Sequence, residues 1–268
     1  MKTDTKNTNE LSIGIFDSGI GGLSICKEII KVLPNESIIY LADSANVPYG
    51  EKSKKEIIDL SIKNTELLLE MGCKLVVVAC NTATTNAIDI LRKNYDIPFI
   101  GIEPATKSAA LKTANGKIGV LATKGTLNSE LFLSTSKQFR DKLEIYKTEG
   151  EKLVRLIEKG QLEETKPLLE KYLNPMIEKG VDNIVLGCTH YSFLIPIIKK
   201  LIPKNVCVID SGVAVANQTK HVLDLENSLN LKSKTVSKSF FTNSNLKLLK
   251  DFLRKIEMFN INVSFKEF

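Results

Sequence analysis

The stretch 76–85, VVVACNTATT, runs an apolar segment into a cysteine that is followed by small hydroxyl and amide residues. A similar pattern recurs at 184–191, IVLGCTHY. Short runs rich in Val and Ile are typical of parallel strands that are buried on both faces. Cys80 and Cys188 therefore fall at the carboxyl ends of two strands, where open α/β sheets bind their ligands. The two segments predict an α/β fold with a ligand site that contains both thiols.

Apolar runs alternate with helical patterns along the chain, as in a mostly parallel sheet covered by helices on both faces. Strands are predicted at 12–16, 37–42, 74–79, 97–102, 117–122, 181–187, 205–209 and 236–241. Helices are predicted at 22–33, 53–70, 82–94, 127–139, 151–159, 162–178, 192–201, 213–226 and 244–257. Because each of two strand series carries one of these cysteines, we expect two α/β lobes with the active site in the cleft between them. The first lobe would comprise residues 1–105 and 212–268, and the second lobe residues 106–211.

Charge and hydropathy exclude several classes of protein. The 268 residues carry a net charge of +6, but lysines interleave with acidic residues, as in EKSKKEIID at 51–59, which is typical of solvated helix faces. The sequence contains no block of basic residues with interspersed aromatic residues, which is the pattern that indicates nucleic-acid binding. No apolar run approaches the roughly 18 residues that cross a membrane. The polar start, residues 1–10, predicts a disordered arm and not a signal peptide, so we expect a cytoplasmic protein without a nucleic-acid or membrane partner.

The chain contains five cysteines and no C-x-x-C pair, so we expect no disulfide, no metal and no cofactor. Free cysteine usually packs as a small buried hydrophobe, and this is the prediction for Cys26, Cys73 and Cys207. Cys80 and Cys188 differ because each ends a strand and leads into polar residues. Two thiols that face one cleft can remove a proton from one side of a carbon and return one to the other side. This is the chemistry of stereoinversion without a cofactor.

The first predicted strand carries a glycine-rich signal, IGIFDSGIGGLSI at 13–25, in which glycines follow the strand and precede a helix. A dinucleotide site is one interpretation, with Asp43 after the second strand as the acid that binds the ribose. However, Ser24 stands where a third glycine or alanine belongs, and a carboxylate at Asp17 would repel a pyrophosphate. A smaller anion, such as a carboxylate group, suits the amides at this helix N-terminus better. Asp17 then remains available for proton transfer or for binding an ammonium group.

Hydroxyl and amide groups also follow the second and fifth strands, in ADSANVPYG at 42–50 and ATKGT at 122–126. None of the four arginines lies in these motifs, so hydroxyls and backbone amides, and not a guanidinium clamp, are the predicted binding groups. The candidates in these two turns are Pro48, Tyr49, Gly50, Thr123 and Thr126.

In their order along the chain, the motifs closely resemble those of the glutamate racemases in the cofactor-independent aspartate/glutamate racemase superfamily. The motifs are FDSGIGG (16–22), ADSANVPYG (42–50), ACNTAT (79–84), IGVLATKGT (118–126), GCTHY (187–191) and IDSG (209–212). The resemblance runs from about Ser12 through FFTNSNLKLLKDFL at 240–253. It implies a two-lobed α/β isomerase that interconverts L- and D-glutamate without a cofactor. It also implies that D-glutamate enters peptidoglycan synthesis, and thus cell-wall biogenesis and cell shape.

The resemblance assigns roles to individual residues. It implies that Cys80 and Cys188 are the acid/base thiols, assisted by Asp17 and His190 respectively. The substrate-binding residues that it implies are Asp17, Ser18, Tyr49, Gly50, Asn81, Thr82, Thr189 and His190. Further acidic residues that the family places near the site match Asp43 and Glu158. The chain departs from the family pattern before Glu158, where Arg155 stands in place of a common proline.

Three alternatives remain open at this point. His190 is a lone histidine in its motif, and such residues are often structural. An aspartate racemase would share the thiol pair and differ in the depth of its pocket. A catalytically silent binding or regulatory protein would keep the same scaffold. A homodimer is expected.

Overall fold

The computed structural model describes residues 8–103, 105–139, 143–231 and 236–268. Within them, ten strands form two parallel sheets flanked by helices, which confirms the predicted α/β class. The strands are β1 (Ser12–Asp17), β2 (Ile38–Ala42), β3 (Cys73–Val78), β4 (Phe99–Gly101), β5 (Lys117–Ala122), β6 (Glu144–Glu149), β7 (Asn183–Gly187), β8 (Cys207–Ile209), β9 (Lys238–Thr242) and β10 (Asn262–Phe265).

The first sheet has six strands in the order β10-β9-β2-β1-β3-β4, and the second has four in the order β6-β5-β7-β8. Every neighbouring pair of strands is parallel. The central strands β1, β3, β5 and β7 are almost entirely buried, because their Val- and Ile-rich sequences offer no polar face to solvent. One apolar core cluster extends from Ile13 and Tyr40 in the first sheet to Leu121 and Ile184 in the second.

Helices connect the strands, and local capping fixes where several of them begin. They are α1 (Leu23–Val32), α2 (Lys54–Glu70), α3 (Asn81–Asn94), α4 (Thr106–Lys112), α5 (Lys124–Leu127), α6 (Glu130–Lys137), α7 (Leu153–Glu158), α8 (Lys166–Glu178), α9 (Ile195–Leu201), α10 (Gly212–Leu225) and α11 (Leu246–Lys255). A capping box starts α2: the Ser53 hydroxyl accepts the Glu56 N–H, and the Glu56 carboxylate accepts the Ser53 N–H at 2.9 Å. Cys80 caps α3 through its sulfur, which places a thiol at the turn from strand to helix.

The sequence pattern does not predict β6, β10 or α4. β6 has the sequence EIYKTE and forms an edge of the second sheet, where its side chains are exposed or half-buried. β10 forms an edge of the first sheet and is similarly exposed. Edge strands lack the continuous apolar run of a buried parallel strand. The seven residues of α4 span only about two helical turns, too few for a clear period.

Some predicted helices begin differently in the structure. The predicted helix at 127–139 corresponds to α6 and overlaps α5 only at Leu127, because the Ser129 hydroxyl accepts the Phe132 N–H at 3.3 Å and caps α6. The predicted helix at 162–178 begins as the 3₁₀ turn Glu163–Thr165 and continues as α8. The predicted helix at 192–201 begins as the 3₁₀ turn Thr189–Leu194 and continues as α9.

Cys207 is exposed at the edge strand β8, so its predicted place in the core is wrong, whereas Cys26 and Cys73 are buried as predicted. The predicted disordered arm, 1–10, is wrong for its last residues, because Thr8–Glu10 form a 3₁₀ turn. The Lys74 ammonium donates to the carbonyl of Asn9 in this turn at 3.1 Å. Residues 1–7 lie outside the described residues.

The chain completes its first sheet only near its end. β1–β4 lie within 12–101 and β9 and β10 within 238–265, whereas all strands of the second sheet lie within 117–209. The lobe boundaries at 105 and 211 stay a prediction. Among the described residues, no helix has the length and apolarity to cross a membrane.

Candidate active site

Cys80 and Cys188 line the same narrow cavity, although they follow strands of different sheets. Cys80 comes two residues after β3 and Cys188 directly after β7. Both thiols are buried, with 4% and 7% of their surface exposed. The cavity has room for about one water molecule. Its lining comprises Ser18, Pro48, Tyr49, Gly50, Cys80, Asn81, Thr82, Thr123, Val154, Cys188, Thr189 and His190.

Cys80 lies in a pocket that favours its neutral thiol. Its sulfur donates to the Ser18 hydroxyl at 3.6 Å and accepts the Ala83 N–H at 3.5 Å. Burial, and then the negative charge of Asp17, raise the pKa of Cys80, and the two hydrogen bonds offset this only in part. The arrangement keeps a proton on this sulfur, ready to be donated.

Asp17 ends β1 and is fully buried between the two cysteine-bearing segments. One carboxylate oxygen accepts the Gly22 N–H at 2.8 Å, and the other accepts the Thr189 hydroxyl at 3.5 Å. Burial raises the pKa of Asp17 even though the charge of His190 and the Gly22 N–H act in the opposite direction. Asp17 thus contacts Thr189 of the second cysteine motif and influences the charge at Cys80.

His190 lies between Cys188 and Glu158. Its Nδ1 is 3.9 Å from the Cys188 sulfur, and its Nε2 is 2.6 Å from Oε1 of Glu158. Burial alone lowers the pKa of His190, but the hydrogen bonds with Cys188 and Glu158 and the charges of Asp17 and Glu158 together raise it well above its ordinary value. A protonated imidazole donates through both nitrogens, and its positive charge stabilises an anion beside it.

Glu158, at the end of α7, reaches the glycine segment of the first sheet. Its Oε1 accepts the Ile20 N–H at 2.8 Å. A Cβ at Gly19 would lie 1.9 Å from that oxygen, and a Cβ at Gly21 would lie 2.3 Å from Nδ1 of His190. The glycines therefore make room for one side chain from α7 and one from the 3₁₀ turn Thr189–Leu194. These side chains occupy the place that the dinucleotide interpretation gives to a pyrophosphate.

Hydroxyls and one free amide surround the Cys80 side of the cavity. Thr82 Oγ1 lies 3.1 Å from the Thr123 hydroxyl and 3.4 Å from the Thr126 hydroxyl. The Asn81 side chain is buried, yet neither its oxygen nor its nitrogen has a hydrogen-bond partner among the described residues. An unpaired buried amide is costly, which indicates a bound ligand as its partner.

Asp43 supports the site from behind the cavity. One of its oxygens accepts the Tyr49 hydroxyl at 2.5 Å, and the other accepts the Asn46 and Asn243 amides at 2.8 and 2.6 Å. Asn64 also donates to the Tyr49 hydroxyl, at 3.1 Å. Burial and the neighbouring Asp43 raise the pKa of Tyr49 well above its usual value. Asp43 therefore fixes the turn that presents Tyr49 to the cavity.

The predicted site residues divide into two groups. One group lines the cavity, and the other contacts a residue that lines it. The second group comprises Asp17, Asp43, Thr126 and Glu158. Sequence reasoning missed the polar supports Asn46, Asn64 and Asn243, and also Val154 in the cavity wall. Asn243 lies in the FFTNSN stretch that forms part of the family resemblance, and this membership is the only sequence feature that could have pointed to it. No group of three or more metal-ligating side chains occurs within the described part of the chain.

The fold and the cavity define a class of α/β proteins in which two thiols from different sheets line one site. Comparison with known proteins identifies the family. The family model for Asp/Glu/hydantoin racemases matches residues 13–219. The chain belongs to this family. A curated relative, the glutamate racemase of Ectopseudomonas mendocina, is 46% identical over 220 residues, which is 81% of this chain and 84% of the relative.

Solved structures of glutamate racemases share the fold. Isoform RacE1 from Bacillus anthracis matches with a TM-score of 0.86 and 30% identity, over 97% of this chain and 98% of that one. The Escherichia coli enzyme, solved with L-glutamate and the activator UDP-MurNAc-Ala, matches with a TM-score of 0.82 and 32% identity, over 92% and 95%.

Proposed function

We propose that the chain is a glutamate racemase that interconverts L- and D-glutamate by proton transfer at the α-carbon between Cys80 and Cys188. The observation that carries the proposal is that these thiols, which follow strands of different sheets, line one cavity. A single base returns a proton to the face from which it came. Inversion by direct transfer requires two bases on opposite faces, and two thiols supply them.

The reaction balances without an external acid or base. The thiolate of one cysteine takes the α-proton and becomes a thiol, while the electron pair of the C–H bond moves toward the substrate carboxylate. The other thiol then gives its proton to the opposite face and becomes the thiolate. Charge that develops on the carboxylate is stabilised by aimed N–H and hydroxyl donors. Ser18, Asn81, Thr82 and Thr189 offer such donors around the cavity.

The surroundings of the two thiols suit opposite roles at the start of a turnover. Cys80 retains its proton because burial and Asp17 raise its pKa. His190, whose pKa is raised, places a positive charge beside Cys188 and stabilises negative charge on that sulfur. By the family pattern, Cys188 is the base for L-glutamate. The conversion of L-glutamate therefore starts with Cys80, the proton donor, already in its thiol form.

We also propose how the remaining residues bind glutamate. The unpaired amide of Asn81 takes a carboxylate oxygen or the ammonium group of the substrate, and Asp17 balances the ammonium charge. Tyr49, Gly50, Thr82, Thr189 and His190 complete the binding set, with Pro48 and Thr123 beside them. Because the cavity has room for about one water, we infer that the two lobes open a cleft to admit glutamate and close over it.

Further elements of the proposal concern the cell. The product D-glutamate supplies peptidoglycan synthesis, the enzyme works in the cytoplasm, and it forms a homodimer. Size-exclusion chromatography with light scattering of the purified protein measures the last of these directly.

The test is a racemisation assay on purified, chelator-treated protein with L- and D-glutamate and with L- and D-aspartate. We expect the circular dichroism of both glutamate enantiomers to decay to zero, without pyridoxal absorbance. Alkylation of the thiols should abolish the decay of dichroism, and bound glutamate should protect the thiols against alkylation. Faster turnover of aspartate would make the enzyme an aspartate racemase, and unchanged dichroism with all four compounds would indicate a silent binding protein. Activity lost on chelation and restored by zinc would contradict the two-thiol mechanism.

A further inference from the structure

A larger, more open cavity of about 900 Å³ adjoins the cavity that contains the cysteines. The two share part of their walls, namely Pro48, Gly50, Thr123 and Val154. Any substrate that enters through the larger cavity therefore passes the turn that carries Gly50 and the helix that carries Val154.

An ion pair joins this turn to this helix. Nε of Arg155 donates to one oxygen of Glu51 at 3.0 Å, and Nη2 donates to the other oxygen. The pairing is thus bidentate, the geometry in which arginine binds a carboxylate most strongly. The hydrogen bond with Arg155 lowers the pKa of Glu51, so the carboxylate is charged near neutral pH. The two residues are 104 positions apart in the chain.

Each partner belongs to a short segment that holds candidate site residues. Glu51 ends the 3₁₀ turn Tyr49–Glu51, whose first two residues line the inner cavity. Arg155 lies in α7 between Val154, which lines the same cavity, and Glu158, which binds His190.

We propose that Glu51 and Arg155 are positioning residues that hold the Tyr49–Glu51 turn and α7 together over the cysteine cavity in its closed form. This rests on the proposed function, because it concerns the site where glutamate is converted. The pair lies at the surface, with 54% and 59% of the two side chains exposed, so solvent screens it and its contribution is modest. We expect it to favour the closed form by up to about fivefold.

The effect should be seen in KM more than in kcat. Apparent affinity falls in proportion to the fraction of protein in the binding-competent form, whereas saturating substrate itself closes the cavity. Breaking the ion pair should therefore raise KM for glutamate by about two- to fivefold and leave kcat within about twofold of the parent. Salt should raise KM of the parent by a similar factor, because it screens the pair, and should change KM of the broken-pair variants much less.

The variants are Arg155→Gln, Glu51→Gln and the double reversal Glu51→Arg with Arg155→Glu. Arg254→Gln is the control, because Arg254 forms another exposed ion pair, with Asp251 in α11. We expect both single variants to raise KM, the reversal to restore it at least in part, and the control to match the parent. A KM equal to that of the parent in both single variants would overturn the proposal, as would a rise that the reversal does not reduce.

Hydrogen exchange of the ligand-free protein tests the same proposal without any assay of activity. Exchange in 49–51 and 153–158 should be faster in both single variants and unchanged in the control. Equal exchange rates in parent and variants would overturn the positioning role. A parent that does not racemise glutamate, but whose variants show the faster exchange, would refute the proposed function and leave the positioning role standing.

Discussion

Cys80 and Cys188 occupy similar places after their strands but have different polar neighbours. Cys80 contacts Ser18 and the Ala83 N–H, whereas Cys188 contacts His190. If the two thiols face opposite sides of the α-carbon, each serves one enantiomer, and replacing one leaves a base on a single side. The single-residue variants therefore separate the two roles.

We predict that Cys80→Ser and Cys188→Ser each lower racemisation by about a thousandfold or more, because serine is too weak an acid and base to replace the thiol. The remaining thiolate should still exchange the proton that faces it. In deuterated water, Cys188→Ser should incorporate deuterium preferentially into D-glutamate, and Cys80→Ser into L-glutamate. Proton NMR with both enantiomers measures this. The same preference in both variants would contradict the opposed-face assignment, and full activity in either would make that cysteine a bystander.

The raised pKa of His190 links the stability of the protein to pH. Its pKa is higher in the folded protein than the value of about 6.5 in an unfolded chain, so the folded state binds the proton more tightly. The resulting stabilisation is complete below pH about 6.5 and is lost as pH rises through the folded pKa. We predict that the difference in free energy of unfolding between the parent and His190→Gln narrows as pH increases above about 6.5. Urea titrations across this range measure it.

The exposed His221 provides a matched control for this experiment. His221→Gln reports what replacing an exposed imidazole does to the free energy of unfolding at each pH. A difference for His190→Gln that stays constant with pH would show that folding does not raise the pKa of His190.

At the scale of elements, the glycine segment between β1 and α1 leaves room for Glu158 of α7 and for His190 of the turn after β7. We predict that Gly21→Ala lowers kcat about a hundredfold, because its Cβ would lie 2.3 Å from Nδ1 of His190 and must displace the ring, and misplacement by about 1 Å costs this much. Gly212→Ala is the control, since the nearest atom to its Cβ would be Glu28 Cγ at 3.1 Å, with Asp210 Oδ1 at 3.8 Å. Steady-state kinetics compares them. Equal kcat in both variants would show that the close approach at Gly21 is not required.

The elements that sequence patterns predicted are those with a local signal. β3 and β7 are continuous apolar runs, and the cysteines at their ends follow directly from that pattern. β6 was not predicted because an edge strand needs no such run, and Cys207 was misplaced because VCVI is apolar whether or not it lies at an edge.

Contacts between distant segments have no local signal. Glu158 contacts Ile20 across 138 residues, and Asn243 contacts Asp43 across 200. No periodicity or motif spacing encodes such a separation. The resemblance to a family pointed to Glu158 and Asp43 near the site, but their partners could be named only from the structure.

At the scale of the whole molecule, the narrow cavity implies motion during turnover. We predict that hydrogen exchange in 43–50 and 187–191 slows when glutamate saturates the protein, because closure excludes water from the site. Mass spectrometry of peptides from these segments measures the effect, with a peptide from α11 as the reference. Unchanged exchange in both segments at saturation would indicate a rigid pocket that does not close.

The order of the strands also bears on how the protein is made. The ribosome synthesises all four strands of the second sheet, the last at Cys207–Ile209, before it reaches β9 and β10 of the first. The Asn243 side chain, which bonds Asp43 and the Ala45 N–H, is synthesised after both cysteines. A nascent chain can therefore hold both cysteines and still lack an anchor of the turn that presents Tyr49. The proposed catalytic cavity therefore gains this support only after both of its cysteines have been synthesised.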